Sequence, residues 1–255
     1  FKVGDEVVVH CNQDDGDDEE CNGGDPMFST SQRIWGYETP DGSFAQFCRV
    51  QDRQCMMRPK HLTWEESACY TLVLATAYRM LFGHRPHILR PGHNVLVWGA
   101  SGGLGSMAVQ LCAVSGANAI GVISEEDKRD FVLGLGAKAV INRKDFNCWG
   151  QLPEVNGPGF KEYMAETRKF GKAIWDITGK GNDVDFVFEE LRKYFLRETS
   201  LFSELHHSMS LDRRAHYMQI KFRQNRCSNG FRPNCTLGSN RRSRSVDARW
   251  KRGSF

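Results

Sequence analysis

Residues 94–113, NVLVWGASGGLGSMAVQLCA, decide how the rest of the chain is read. An aliphatic run breaks into Gly99, Gly102, Gly103 and Gly105, and a helical pattern follows. This is a strand-to-helix junction, and each glycine has a physical task in it. Gly99 can take the positive φ of a tight turn. Gly102 and Gly103 lack the β-carbon that would hold a diphosphate away. Gly105 lets the helix pack close on the strand. Ser101 and Leu104 complete the loop and are assigned to the site with the glycines. Backbone N–H groups at the helix start have no partner in the preceding turn, so they suit phosphate oxygens. A second strand candidate, NAIGVIS, ends near Ile123, roughly 20 residues beyond the loop, as a dinucleotide fingerprint requires. The spacing predicts a dinucleotide site.

The end of that second strand separates the two nicotinamide dinucleotides. An acid there would hold a ribose diol. This chain has Ser124, with Lys128 one helical turn later. Hydroxyl and ammonium suit a 2′-phosphate, so NADPH is the expected cofactor. Glu125 and Glu126 point the other way, although first-turn acids also suit a helix dipole. Arg143, after the third strand, is a further candidate for the same phosphate.

Outward from the loop the chain alternates. Strands are expected at NVLVWG, NAIGVIS, AKAVINR and VDFVFE. Helices are expected at GLGSMAVQLCAVSG, EEDKRDFVLGLG and FKEYMAETRKFGKAIWDITG. That order predicts an α/β fold, a parallel sheet with helices on both faces. Residues 1–60 read instead as β structure, with DEVVVHC, RIWGYET and SFAQFCRV as short strands. Between the two parts, LTWEESACYTLVLATAYRMLFG reads as one helix or a pair. Thr63 and Glu66 form a capping box at its start. Its apolar character all round beyond Ala68 predicts burial. The expected division is a β domain at 1–60, a linker helix region at 61–91, the first part of a nucleotide-binding domain at 92–189, and a tail at 190–255.

Composition excludes several classes. The chain has 255 residues, 40% hydrophobic and 25% charged, enough for a substantial core. No apolar run reaches the roughly 18–20 residues of a membrane span. Nine cysteines stand scattered with no C-x-x-C, so neither a zinc ribbon nor a disulfide framework is expected. Reduced thiols and a cytoplasmic location are the plainer expectation. The acidic run 14–20 reads as a solvated loop, and no metal site is assigned. The net charge of +3 hides a split. Residues 1–190 carry 19 Lys/Arg against 27 Asp/Glu, and residues 191–255 carry 15 against 4. Such a basic tail attracts phosphates, which makes nucleic-acid binding a remote alternative.

GDEVVVH, IWGYETPDGSFAQF, LTWEESACYTLVLATAYRML, VLVWGASGGLG and KFGKAIWDITGKGNDVDFVFE together resemble the medium-chain dehydrogenase/reductase superfamily. More narrowly, they resemble its crotonyl-CoA carboxylase/reductase family, over residues 1 to about 189. The resemblance implies a partial GroES-like β domain followed by an incomplete Rossmann domain. It implies hydride transfer from NADPH to an enoyl-CoA and capture of CO2, which makes ethylmalonyl-CoA from crotonyl-CoA. It implies no catalytic zinc and a homo-oligomer. An aromatic–glutamate pair in W-G-[FY]-E-T belongs to the family's CO2 pocket, and here it is matched by Tyr37 and Glu38. The alternative within the superfamily is a zinc-free enoyl or quinone reductase that does not carboxylate.

The sequence also departs from the family. An asparagine of that pocket has no counterpart in the chain. The His-Pro-Gly that follows VFE in the family is replaced by ELRKYFLRETS, and nothing in 191–255 resembles the family. His206, His207 and His216 do not take over the missing histidine's role. A shifted reading frame beyond Phe188 or Glu189 is the expected origin of the tail. The 255-residue chain is expected to be a fragment that binds NADPH weakly and does not turn over crotonyl-CoA.

Overall fold

A computed structural model describes residues 1–150 and 152–189, together with a strand at Met218–Lys221. The sequence up to Met57 builds small antiparallel ladders. β1 (Val7–Val9) pairs with β4 (Cys55–Met57), and β2 (Asn12–Gln13) pairs with β3 (Arg33–Ile34). Buried Gln54 joins the two ladders. Its amide donates to the His10 carbonyl at 2.8 Å, and its carbonyl accepts from Gln13 at 2.9 Å.

Two expectations need correction in this region. No strand forms at SFAQFCRV; Phe44 and Phe47 lie exposed, and β4 comes later in the chain. A strand is held by a neighbouring ladder, and no described segment pairs with 43–50. RIWGYET is extended only at Arg33–Ile34. The chain then turns back, and the N–H groups of Tyr37 and Glu38 both donate to the Ile34 carbonyl.

Residues 61–91 contain a pair of helices, α1 (Trp64–Cys69) and α2 (Thr71–Phe82). The capping box forms as read. Thr63 Oγ1 accepts from Glu66 N at 3.2 Å, and Glu66 Oε2 accepts from Thr63 N at 2.9 Å. The expected all-round burial does not hold. Ala77, Met80 and Leu81 are buried, whereas Leu72 and Tyr78 on the other side are exposed.

Residues 92–189 follow the predicted alternation. In chain order their elements are β5 (Asn94–Trp98), α3 (Gly103–Val114), β6 (Asn118–Ile123), α4 (Arg129–Gly134), β7 (Ala139–Asn142), α5 (Phe160–Thr178) and β8 (Phe186–Glu189). Strand order across the sheet is β7-β6-β5-β8-β9, with β9 at Met218–Lys221. The first four run parallel, and β9 lies antiparallel on β8. The sequence reading placed no strand beyond Glu189, so β9 is an addition to it. The other features read in 190–255 lie outside the described residues.

Alternation along the strands loads both faces of the sheet. Val95, Val97, Ala119, Phe186 and Phe188 pack with Ala108, Val109 and Cys112 of α3 and Met80 of α2. Leu96, Trp98, Ile120, Val122 and Val187 pack with Phe170 and Ile174 of α5. Each fully buried aliphatic side chain of this kind contributes about 1.5–3 kcal/mol. Trp98, the last residue of β5, lies edge-on to Trp149 at 5.4 Å, and both rings meet Phe170. This aromatic group closes one face of the sheet at the end where the glycine loop leaves it. Among the described residues no helix is long and apolar enough to cross a membrane.

Candidate functional site

The site begins where β5 ends. Gly99 sits at φ +59°, which a side chain would strain. The Gly102 N–H donates to the Gly99 carbonyl at 2.8 Å and closes the turn. The Ala100 N–H donates to the Val122 carbonyl at 3.2 Å, which anchors the loop to β6. Gly102 is the N-cap of α3, in extended conformation, and no side chain caps it. The N–H groups of Gly103, Leu104 and Gly105 open this 12-residue helix. They carry the positive end of its dipole. The bend is thus lined by backbone amides, and Gly102 and Gly103 are exposed.

Each glycine's role can now be assigned from its surroundings. A β-carbon on Gly105 would lie 2.2 Å from the Gly99 carbonyl oxygen, so Gly105 does permit close helix–strand packing. Gly103 differs from its expected role. Its missing β-carbon points at Val73 Cγ1, 3.3 Å away, so it admits α2 rather than clearing a space for phosphate. The Leu104 side chain packs on the core, which leaves its backbone N–H as its contribution. Ser101 is half-buried in the turn.

At the end of β6, Ser124 is half-buried, immediately after the strand. Lys128 is exposed in the short turn Glu126–Lys128, with Nζ 3.4 Å from Asp127. Arg143 is half-buried after β7, and its carbonyl accepts from Trp149 Nε1 at 2.7 Å. Both ambiguous acids have partners. Glu125 Oε1 meets Lys144 Nζ at 2.6 Å. Glu126 is bound by the Arg129 guanidinium and by Asn142 Nδ2. Those bonds, Arg129's first, hold the Glu126 carboxyl below its ordinary range and push Arg129 up. The sequence reading missed Lys144. The available signal was equal overhang. Ile123 and Asn142 are register partners across β6 and β7, so Glu125 and Lys144 each lie two residues past the pair.

Tyr37 and Glu38 lie elsewhere. Tyr37 is 83% exposed. Glu38 Oε2 accepts the Ile34 N–H at 2.7 Å, so the carboxylate fastens its own turn. The described contacts of both residues stay within 34–38, and none reaches the glycine loop. In the acidic loop, ligand atoms of Asp15, Asp18 and Cys21 lie within 4.8 Å of one another. The Asp18 carboxylate there already accepts from Ser29 Oγ and the Cys21 N–H.

Comparison with known proteins bears on these geometries. No family model matches the chain. A crotonyl-CoA carboxylase/reductase from Cereibacter sphaeroides is 81% identical over 189 residues, 74% of this chain and 44% of that protein. The matched segment is similar to crotonyl-CoA carboxylase/reductases. A solved crotonyl-CoA carboxylase/reductase superposes with a TM-score of 0.75 at 76% identity, covering 79% of this chain and 47% of that one. The 2-octenoyl-CoA carboxylase reductase CinF, solved with NADP and 2-octenoyl-CoA, superposes at 0.61 with 37% identity, covering 72% and 40%. The chain thus spans about half or less of each crotonyl-CoA carboxylase/reductase relative. Its described fold is the α/β arrangement of these relatives, GroES-like β structure followed by a Rossmann-type parallel sheet with helices.

Proposed function

We propose that this chain is part of an NADPH-dependent reductive carboxylase that converts crotonyl-CoA and CO2 to ethylmalonyl-CoA. The observation that carries this reading is the uncapped amide bend at α3, within a segment 81% identical to a carboxylase/reductase. The residues present fit a dinucleotide. The Gly103, Leu104 and Gly105 amides would receive the diphosphate, with Gly99, Ser101 and Gly102 shaping the turn. Ser124, Lys128 and Arg143 would surround a 2′-phosphate. When bound, NADPH supplies hydride to the β-carbon of an enoyl-CoA.

The chain's own residues supply position and exclusion. The helix amides fix the phosphates, and the turn at Gly99 sets where the loop leaves the sheet. Tyr37 is assigned as a wall of the CO2 pocket. Glu38 is assigned to fix the dipole that orients CO2, while its second oxygen fastens the turn through Ile34 N–H. Carboxylation requires the substrate carbanion to meet CO2 before it meets a proton, so this pocket must exclude water. The expected domain boundaries at 60, 91 and 189, the homo-oligomer, the absence of zinc and the cytoplasmic setting belong to the same proposal.

Incubation of the full-length protein carrying this segment with crotonyl-CoA, NADPH and bicarbonate tests the reading. Ethylmalonyl-CoA is the expected product. Saturated acyl-CoA alone, at any bicarbonate concentration, would instead indicate the non-carboxylating reductase. The 255-residue chain itself is expected to bind NADPH weakly without turnover, and robust turnover by it would refute that part.

A further inference from the structure

Ser124-Glu125-Glu126 presents a conflict that the dinucleotide reading alone leaves open. Two carboxylates stand next to the place where a 2′-phosphate would lie, and that phosphate carries close to two negative charges. An acid at this end of β6 ordinarily selects a free ribose diol. The structure balances the two acids differently. Glu126 is engaged in a local network. It binds Arg129, whose Nη1 also donates to the Val140 carbonyl at 2.7 Å, and it binds Asn142. Glu125 is the acid that extends directly from the strand, with backbone at φ −130° and ψ 129°. Its partner is Lys144, which comes from the neighbouring strand's end rather than from its own turn.

Lys144 is itself placed by built contacts. Its N–H donates to Asn142 Oδ1 at 3.1 Å, and the other atom of that amide, Nδ2, donates to Glu126. Asn142 is buried, so one fixed side chain sets the positions of both neutralised acids. The register of β6 on β7, Ile123 opposite Asn142, then delivers Nζ to Glu125 Oε1 at 2.6 Å. Both side chains remain more than half exposed, so the pair adds little to fold stability. Its effect falls on the charge met by an incoming anion.

We propose that Lys144 is a specificity-determining residue that screens Glu125, so that the end of β6 accepts a 2′-phosphate despite carrying an acid. The inference rests on the dinucleotide reading of the glycine loop and adds a residue to it. Lys144 acts here through Glu125, as a positioning and neutralising group.

The test measures NADPH and NADH affinity of the 255-residue chain and its K144Q, E125Q and E125Q/K144Q variants by titration calorimetry at fixed ionic strength. K144Q is expected to lower the NADPH-over-NADH preference about tenfold by exposing one uncompensated charge near the phosphate. The double variant is expected to recover the starting preference, and E125Q alone to retain it. A purely structural role for Lys144 would weaken both nucleotides alike. The proposal is overturned if K144Q leaves the preference unchanged. It is overturned equally if the double variant stays as poor as K144Q, which would make Lys144 a direct phosphate contact. Failure of the unaltered chain to bind either nucleotide removes the underlying dinucleotide reading, and this inference with it.

Discussion

Replacing Gly105 with alanine strikes the point where helix α3 meets strand β5. The added carbon would lie 2.2 Å from the Gly99 carbonyl oxygen, 2.7 Å from its carbon and 2.8 Å from Ala100 Cα. All three are backbone atoms, so no flexible side chain can swing aside. The helix start must move off the strand. Overpacking of this kind costs about 1–3 kcal/mol. Alanine in a helix returns about 1 kcal/mol of propensity. Rigid backbone on all three sides puts the cost in the upper part of the overpacking range, about 2–3 kcal/mol, so the net loss of about 1–2 kcal/mol lowers Tm by about 2–8 °C for a chain of this size. The same displacement carries the Gly103–Gly105 amides away from a diphosphate. Losing one charge-assisted hydrogen bond costs about 1.5–3 kcal/mol, so NADPH affinity falls roughly ten- to hundredfold. Gly134, at the end of α4, provides the control, because a β-carbon there meets nothing within 4 Å. G134A should raise Tm slightly and leave NADPH binding alone. Melting followed by circular dichroism and titration calorimetry read both quantities. If G105A melts with the parent chain and binds NADPH as tightly, the close-packing argument is wrong.

Three further outcomes follow from other parts of the molecule. Arg79 of α2 holds Asp25 through two guanidinium nitrogens, at 2.6 and 3.0 Å, and the pair is only partly exposed. D25N should cost about 1–2 kcal/mol in urea unfolding, more than an exposed pair would, and R79M/D25N should cost less than the sum of its single changes. Burial lowers the pKa of His10, and burial with Arg79's charge lowers that of His84. The unfolded chain therefore takes up these protons first, so stability is complete above the ordinary histidine value of 6.5 and declines as pH falls through it; H10Q should flatten that part of the unfolding profile, and an unchanged slope would discard the assignment. The coding DNA beyond codon 189, translated in its other two frames, should restore family-like sequence beginning near His-Pro-Gly; if neither frame does so, the shifted-frame origin of the tail fails.

The β5–α3–β6 unit was legible because its signals are local. An aliphatic run, glycines at a turn and a helical period all lie within 30 residues of one another. The Thr63–Glu66 box is legible for the same reason. What required distant partners was not legible. Residues 43–50 have the composition of a strand, yet composition cannot supply the neighbour that a ladder needs. Gly103 looked like a phosphate-clearing glycine because nothing in its own segment reveals that Val73 of α2 would fill the space. Lys144 was passed over because its importance depends on the register between two strands separated by a helix. Tyr37 and Glu38 were named through the family resemblance, since in the sequence alone they are a strand-end aromatic and a surface acid.

The central claim is that backbone amides at the start of α3 receive the diphosphate of NADPH. Amide resonances of 15N-labelled chain, followed during an NADPH titration, address those atoms individually. The account predicts that Gly103, Leu104 and Gly105 shift together and saturably, with Ser124 following and Tyr37 unmoved by the nucleotide alone. Saturable NADPH binding that leaves those three amides in place would contradict it.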